Sequence, residues 1–320
     1  MAPTPHSYSG EGPRITVNAM VKDPLIIRAR MLQMFQQQFI MEALLRQAPP
    51  AEAGVLLYSE STPLFTDDDA SVIAEAAEIP LVQGQDGVPK AAFTIKTGMG
   101  IEITVEMKNR NRVDQVTTRM TQVRNTIVRH WERRLFAALL AAVPAANVLN
   151  LDAGGTGFAA NNWYTGSAPK IRENILDALE LVREAVHPGL GSDAYLGFDP
   201  DALVISTRTA TAMMKDDDFR KAYEGSPLAE KNPFYTGQLE RQVMGLNILT
   251  SRFMNDDYAF VLQKKVVGGY TDERSLQTSP TYEDKDREVW RANTVRQTGI
   301  FIDQPYAVAK IAALKTDPTP

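Results

Sequence analysis

An amphipathic stretch from Val113 to Ala142 constrains the fold of this 320-residue chain more than any other feature. Apolar residues recur at every third or fourth position along it, which is the spacing of one helical face. They are Val113, Val116, Met120, Val123, Ile127, Trp131, Leu135 and Leu139. At about 1.5 Å per residue, the predicted helix is about 45 Å long. The alternating segment GIEITVEMKN before it predicts a half-buried strand, so that the strand and the helix form one rigid beam.

The remaining faces of this helix are basic. Asp114 and Glu132 are its only acidic residues, whereas six arginines lie on it or next to it. The arginines are Arg112, Arg119, Arg124, Arg129, Arg133 and Arg134. They fall at varied helical angles without interleaved aromatic residues or a turn-helix partner, so the reading of nucleic-acid bases is not expected. Ion pairs with neighbouring subunits and contacts with phosphate both fit the pattern, and we favour the ion pairs.

The charge and the cysteine content exclude several classes of protein. The chain has 34 Lys and Arg against 39 Asp and Glu, a net charge of -5, so it lacks an overall basic footprint for nucleic acid. It contains no cysteine, which excludes disulfides, thiolate metal sites and cysteine nucleophiles. We expect no secretory signal, because the N-terminal arm lacks an apolar segment. We also expect no membrane span, because no run approaches about 18 to 20 apolar residues.

Candidate catalytic or ligand-binding motifs are scarce. The only histidines are His6, His130 and His187, and neither an HExxH nor a GxSxG motif occurs. The glycine-rich GGTG at 154–157 lacks the Gly-Lys-Ser/Thr sequence of a phosphate-binding loop. The runs of aspartate lack the spacing of a calcium-binding EF-hand. The sequence therefore predicts a protein that is not an enzyme and has no cofactor and no metal site.

Residues 54–97 differ from the rest of the chain in their pattern of apolar and polar residues. Short apolar runs alternate with proline, glycine and aspartate, and no run is long enough to form a domain core. This pattern predicts a long hairpin that projects from the body, with arms that would reach about 60 Å if fully paired. Because an isolated hairpin is marginally stable in water, we expect it to pack on a neighbouring subunit.

The other segments alternate helices with strands but lack a βαβ rhythm, which favours an α+β fold. A Pro-, Gly- and Ser-rich arm precedes a predicted docking helix over 28–47, which Pro49 and Pro50 end. The second half predicts a helix over 170–186 and a buried strand at 203–205 that is capped at Thr207 and followed by a short helix. Four further strands are predicted after them.

Three stretches of the sequence carry a resemblance to a known family. The first is FTDDDASVIAEAAEIP at 65–80, and the second is DALVISTRTATAMMKDDDFRKAY at 201–223. The third is QVMGLNILTSRFMNDDYAFVLQKKVVGGY at 242–270, followed by REVWRANTVRQTGIFIDQPYAVAKIAA at 287–313. In this order they resemble the E-loop, the A-domain strand and helix, and the late strands of the tailed-bacteriophage major capsid protein, the Hong Kong ninety-seven type or Johnson fold. The resemblance covers nearly the whole chain.

The resemblance implies a division of the chain into four parts. Residues 1–53 would form the N-arm with its docking helix, and 54–97 the E-loop. Residues 98–147 would form the P-domain with a spine helix at 112–142, completed by about 277–297. The A-domain would comprise 148–276 and 298–320. The extra N-terminal residues that some family members use as a fused scaffold are not matched, so a separate scaffolding protein, or none, is expected.

The resemblance also implies a function. The chain would self-assemble through pentamers and hexamers into an icosahedral virion capsid in the cytoplasm of the host bacterium. The shell would enclose the double-stranded DNA of the phage by nonspecific contact, with portal and possible scaffolding or decoration proteins as further partners. An encapsulin-like nanocompartment shell of the same fold is the alternative. A nucleic-acid-binding protein that uses the basic helix and an enzyme with an unrecognised site are weaker alternatives.

The family also suggests which residues form contacts between subunits. In the E-loop these are Phe65, Val72, Ile73, Glu75 and Ile79, and in the spine helix Arg119, Arg124, Arg129 and Arg133. Some members form an isopeptide bond between an E-loop lysine and an asparagine of a neighbour. This chain has no lysine at 74–80, where the match would place it, and Lys90 is the nearest candidate. We therefore expect a shell that noncovalent contacts hold together.

Overall fold

The computed structural model describes residues 16–35, 39–62, 66, 70, 72–73, 79, 81, 86–151, 162–164, 169–188, 194–217 and 242–315. The described helices are α1 Val17–Lys22, α2 Pro24–Phe35, α3 Ile40–Leu44, α4 Val105–Asn109, α5 Val113–Ala142, α6 Ile171–Arg183 and α7 Thr207–Lys215. The first strands are β1 Arg46–Gln47, β2 Val55–Glu60, β3 Val88–Phe93, β4 Ile95–Thr104, β5 Val148–Asn150 and β6 Ala202–Ser206. The later strands are β7 Gln242–Val243, β8 Leu246–Ser251, β9 Tyr258–Leu262, β10 Gly269–Thr278, β11 Tyr282–Asp284, β12 Val289–Phe301 and β13 Val308–Ala312. This mixture confirms the predicted α+β class.

A five-stranded sheet forms around the long strand β12. Strands β10 and β11 pair antiparallel with one side of β12, and β1 pairs parallel with β10. Strand β4 pairs antiparallel with the other side of β12, from Thr104 opposite Val289 to Ile95 opposite Thr298. The sheet therefore joins segments that are about two hundred residues apart in the sequence.

The long helix α5 packs against this sheet, as the apolar stripe predicts. All eight apolar positions of the stripe are buried, and Trp131 and Leu135 are completely inaccessible to solvent. Towards its C-terminal half, the helix also buries Val128, Glu132 and Phe136, so that a wider face of it is covered. The helix is long because its whole length has packing partners, and its stability comes from this burial rather than from helix propensity alone.

A six-stranded sheet forms the second layer of the molecule, in the order β5-β13-β9-β6-β8-β7. Helix α6 packs against β13 and β9. All residues of β6 are buried, which confirms the predicted strand at 203–205. The cap of α7 is Ser206 rather than the predicted Thr207, because the Ser206 hydroxyl accepts a hydrogen bond from the Thr209 amide at 3.0 Å.

Two predicted elements are shorter in the structure. The strand predicted through Lys108 ends at Thr104, whose hydroxyl accepts a hydrogen bond from the Met107 amide and so begins α4. The docking helix predicted over 28–47 is two helices, α2 and α3, followed by strand β1. In the arm, α1 was not predicted; it is capped by Thr16 and held by the fully buried Val17 and Met20.

A hairpin of β2 and β3 lies next to the start of β4. Its six residue pairs run from Val55 opposite Phe93 to Glu60 opposite Val88. This confirms the base of the predicted hairpin, and Thr94 alone separates β3 from β4. No helix among the described residues is long and apolar enough to cross a membrane.

Candidate assembly surfaces

The hairpin is fixed to the five-stranded sheet and to two connecting segments of the body. The Tyr58 ring packs on the Phe301 ring with centroids 5.1 Å apart. The Ser61 amide donates to the carbonyl of Asp303 at 2.8 Å, and the Ser61 carbonyl lies 2.9 Å from Nε2 of His187. Burial raises the pKa of the Tyr58 phenol. Because the contacts come from separate parts of the chain, they set the direction in which the hairpin leaves the body.

The outward face of the hairpin, opposite to the face that packs on Phe301, is apolar. By strand register it carries Leu57, which is 79% exposed, and Phe93, which is 65% exposed, whereas Val88, 61% exposed, lies on the other face with Tyr58. Ile95 and Met99 on the adjoining strand β4 are also exposed. Monomeric proteins rarely leave apolar side chains of this size together in water, so the face has the character of an interaction surface.

The predicted contact residues of the E-loop divide into two groups. Val72, Ile73 and Ile79 are all exposed to solvent. Phe65 and Glu75 lie outside the described residues. The assignment of these five residues to contacts between subunits therefore stays a prediction.

The loop between the two hairpin strands has a strongly one-sided charge. Between positions 61 and 87 there are six carboxylates and no lysine, arginine or histidine. The carboxylates are Asp67, Asp68, Asp69, Glu75, Glu78 and Asp86. A segment of this composition is attracted to a basic surface and repelled by an acidic one.

Five of the six arginines on or next to α5 fall into two sets, and the sixth, Arg134, lies over the ring of Trp131. Arg119 and Arg133 are exposed, and with Arg112 they are spaced by multiples of seven residues, which places them on one stripe of the helix. The Arg119 guanidinium donates to the carbonyl of Glu102 on β4. We name Arg112, Arg119 and Arg133 the arginine stripe. All three residues of the stripe are exposed to solvent.

Arg124 and Arg129 belong to the second set. They line a cavity of about 550 Å³ between α5 and the end of β8, and Arg252, which follows β8, lines it from the opposite wall. The Arg124 side chain is oriented by its neighbour, because its Nε and Nη2 donate to Oδ1 of Asn125 at 3.1 and 2.7 Å. Of the four arginines that the sequence placed in one group, Arg124 and Arg129 therefore line the cavity, and Arg129 lies one helical turn before Arg133 of the arginine stripe.

Glu132 does not offset these positive charges at the surface. It is 5% exposed and accepts a hydrogen bond from the Ser251 hydroxyl at the floor of the cavity. Burial raises the pKa of the Glu132 carboxyl, and the hydrogen bond from Ser251 opposes this effect. One of the two acids on the helix is thus removed from its outer surface, a feature that the spacing of residues does not reveal.

The described residues contain little that resembles a catalytic centre. His130 lies on the exposed face of α5 with its ring edge-on to Trp131, at 5.7 Å between centroids. No group of three or more His, Cys, Asp or Glu within the described ranges could hold a metal ion. The features that stand out are the hairpin, the arginine stripe and the cavity.

Comparison with known proteins decides the family. A family model described as phage capsid protein matches residues 88–311, well over half of the chain. The chain belongs to the phage capsid protein family. The match begins at the first residue of β3, so the acidic loop and the N-terminal helices of this capsid protein lie outside it. No curated protein sequence matches the chain.

Solved structures share the fold of the capsid protein. The capsid of cyanophage P-SCSP1u matches with a TM-score of 0.62 at 11% identity, over 87% of this chain and 89% of that one. The virus-like particle of Pyrococcus furiosus matches with a TM-score of 0.55 at 10% identity, over 90% and 98% of the two chains. The holo-SrpI encapsulin complex of Synechococcus elongatus matches with a TM-score of 0.52 at 10% identity, over 90% of this chain.

These findings confirm the predicted Johnson fold and the role of a major capsid protein, a structural component of the virion shell. The encapsulin match reflects the shared fold. The family match favours the phage capsid over the nanocompartment alternative.

Proposed function

We propose that the capsid protein assembles through pentamers and hexamers into a closed icosahedral shell, in which the hairpin of each subunit lies on a neighbouring subunit. Assembly would take place in the cytoplasm of the host bacterium, with portal and possible scaffolding or decoration proteins as partners. The shell would enclose double-stranded DNA, which it would contact without sequence preference. The observation that carries this proposal is the apolar outward face of a hairpin whose base is fixed to the body.

The hairpin supports the proposal through its energetics. A two-stranded ribbon with one apolar face in water is marginally stable, and burying that face on a second copy yields about 25 cal/mol for each Å² of apolar surface. The fixed base lowers the cost of binding further, because the body orients the hairpin before it meets a neighbour. Val72, Ile73 and Ile79, with Phe65 and Glu75, would lie in this contact as predicted.

Complementary charge would orient the hairpin on the neighbouring subunit. The loop between the hairpin strands carries only negative charges, and the arginine stripe of a neighbouring subunit offers positive ones. Complementary charges of this kind steer association and fix register more than they add affinity. We therefore assign Arg119 and Arg133 to the contact with the acidic loop of a neighbour. Arg124 and Arg129, which sit in the cavity, would contribute to subunit contacts only from that position.

The shell would be held by noncovalent contacts. Lys90, the candidate nearest to the E-loop, forms an ion pair with Glu60 across the hairpin. A lysine held as a charged partner inside its own hairpin is a poor nucleophile, because attack requires the neutral amine.

The two sheets support the division into domains. The five-stranded sheet with α5 would form the P-domain, and the six-stranded sheet with α6 and α7 the A-domain. Strands β10 and β12 extend past both ends of the predicted segment 277–297. We therefore propose that the late part of the P-domain is 269–301, with 1–53 as N-arm and 54–97 as E-loop.

Excision of the loop tests the proposal. Residues 63–85 are replaced by Gly-Asn-Gly-Ser, which removes the loop but leaves Ser61 and its contacts with Asp303 and His187 in place. We expect a folded subunit with an unchanged circular dichroism spectrum that forms no shells in electron micrographs. A matched control keeps the loop length and changes Asp67, Asp68 and Asp69 to Asn, which should slow assembly without abolishing it. Shells of normal size from the excision variant would overturn the proposal.

A further inference from the structure

The cavity between α5 and β8 brings together three arginines from two distant parts of the chain. Arg124 and Arg129 come from the helix, and Arg252 comes from the turn after β8. Arg129 and Arg252 are exposed, so the cavity opens to solvent, and its volume of about 550 Å³ is ample for a phosphate group with its water.

The positive charge in this cavity is not balanced by the chain itself. Among the described residues, no carboxylate forms an ion pair with Arg124, Arg129 or Arg252. Glu132 is the one acid in the lining, and its carboxyl accepts from Ser251 instead. Three guanidinium groups around one cavity repel each other, and an anion between them relieves that repulsion.

The donors suit a particular kind of anion. The Ser251 hydroxyl is engaged with Glu132, and the Thr126 hydroxyl donates to the carbonyl of Gln122, so neither is available to select a neutral ligand. The Arg124 guanidinium already donates through Nε and Nη2 to Asn125, so the planar forks that match the oxygen pairs of phosphate are those of Arg129 and Arg252.

We propose that the cavity formed by Arg124, Arg129 and Arg252 binds a phosphate group. A free inorganic phosphate and the backbone of the packaged DNA present the same chemistry. The genome as the source rests on the proposed function, whereas the phosphate site itself does not. A carboxylate from a neighbouring subunit is a competing occupant, because the loop at 61–87 is rich in them.

The test uses unassembled full-length subunits, so that its result does not depend on shell formation. Titration calorimetry measures the affinity for inorganic phosphate and, separately, for a short DNA duplex over a range of salt concentrations. The pocket variant combines R124Q and R129Q. The control variant combines R112Q and R119Q, which removes the same charge from the part of the arginine stripe that is remote from the cavity. A third variant, R129K, keeps the charge but removes the fork.

We expect the pocket variant to weaken phosphate binding about tenfold or more, and R129K to weaken it measurably, while the control leaves it unchanged. A plot of the logarithm of the duplex binding constant against the logarithm of the salt concentration has a negative slope. In the pocket variant the magnitude of this slope should be smaller by about two, roughly one for each lost phosphate contact. If the duplex displaces inorganic phosphate from the cavity, the phosphate group bound in the shell comes from the genome. If the duplex does not displace it, the ligand of the cavity is free phosphate. Either result supports a phosphate site in the cavity.

Three results would overturn the inference. Wild-type subunits that bind neither probe would show that the site does not exist. Equal losses in the pocket and control variants would show that binding follows net charge alone. A pocket variant that binds phosphate normally but no longer forms shells would identify a neighbour's carboxylate as the occupant. Shell formation by each variant is scored separately by electron microscopy, so a failure of the phosphate site leaves the proposed assembly standing.

Discussion

The guanidinium of Arg296 donates to both carboxylate oxygens of Asp272, through Nε at 3.2 Å and Nη2 at 3.1 Å. Arg296 lies on β12 and is 2% exposed, and its third nitrogen, Nη1, donates to Glu42 on α3 at 3.0 Å. The same guanidinium lies over the rings of Phe39 and Trp131. One buried cation thus joins the N-terminal helices, α5 and the five-stranded sheet.

Removing this cation should destabilise the subunit strongly. R296M removes a buried cation and leaves the half-buried Asp272 without its charged partner, and we expect the free energy of unfolding to fall by about 3 kcal/mol. Guanidinium chloride denaturation of unassembled subunits measures the change. The control is R274M, because Arg274 is exposed and contacts Gln277 alone among the described residues. It should change stability by less than about 0.5 kcal/mol. Equal midpoints for the two variants would refute the structural role of Arg296.

Reversing the arginine stripe should impair assembly without unfolding the subunit. The double variant R119E and R133E places like charges opposite the acidic loop of a neighbour, and we expect the concentration needed for assembly to rise about tenfold or more. Light scattering follows assembly, and added salt should partly restore it by screening the repulsion. Reversal of loop charges in the same chain, with D67K and D69K, should recover assembly. R172E, on the exposed face of α6, is the control. A failure of the compensating changes to recover any assembly would argue against this pairing.

The assembled shell should dissolve completely into single chains. Boiling in detergent should give one band near 35.4 kDa, since no lysine occupies positions 74–80 and Lys90 is paired with Glu60. Denaturing gel electrophoresis of purified particles checks this. K90A should leave the band pattern unchanged. A ladder of covalent multimers that K90A abolishes would show that the hairpin lysine reacts after all.

The stability of the subunit should depend on pH through Glu132. Burial raises the pKa of this carboxyl in the folded state, so the folded protein holds its proton to a higher pH than the unfolded chain does. Stability contributed by this group is therefore complete below the unfolded pKa and is lost as pH rises through the folded pKa. E132Q cannot ionise, so its advantage over the wild type should grow as pH rises from about 4 to 8, by about 1.4 kcal/mol for each unit of pKa difference.

Thermal unfolding at several pH values measures this difference. The control is E106Q, because hydrogen bonds at the start of α4, from its own backbone amide and from Thr104, lower the pKa of the Glu106 carboxyl. That variant should show a pH dependence of the opposite sign. Parallel pH curves for E132Q and the wild type would mean that Glu132 titrates like an exposed acid.

The features predicted best from sequence are those with long, regular patterns. The stripe of α5 repeats over thirty residues, so its period is unmistakable, and β6 is apolar without interruption. The short helices α1 and α4 have no such repeat. Each depends on a threonine cap and on burial of one or two side chains by distant segments, which only tertiary structure supplies.

The assembly surfaces were predictable only in part. The unusual composition of 54–97 indicated a projecting hairpin, and its base is where expected. The cavity was not predictable, because it depends on Arg252, which is 123 positions after Arg129 and lines the same cavity only in the folded chain. Glu132 likewise reads as a surface acid until Ser251 is placed against it.

Electron microscopy of the full chain, expressed alone and fractionated by size, tests whether the hairpin joins neighbouring subunits into a shell. We expect closed icosahedral particles, or free pentamers and hexamers, with density from one subunit lying across the next at the position of the hairpin. A chain that stays monomeric at high concentration, both alone and with a scaffolding protein supplied, would contradict this expectation.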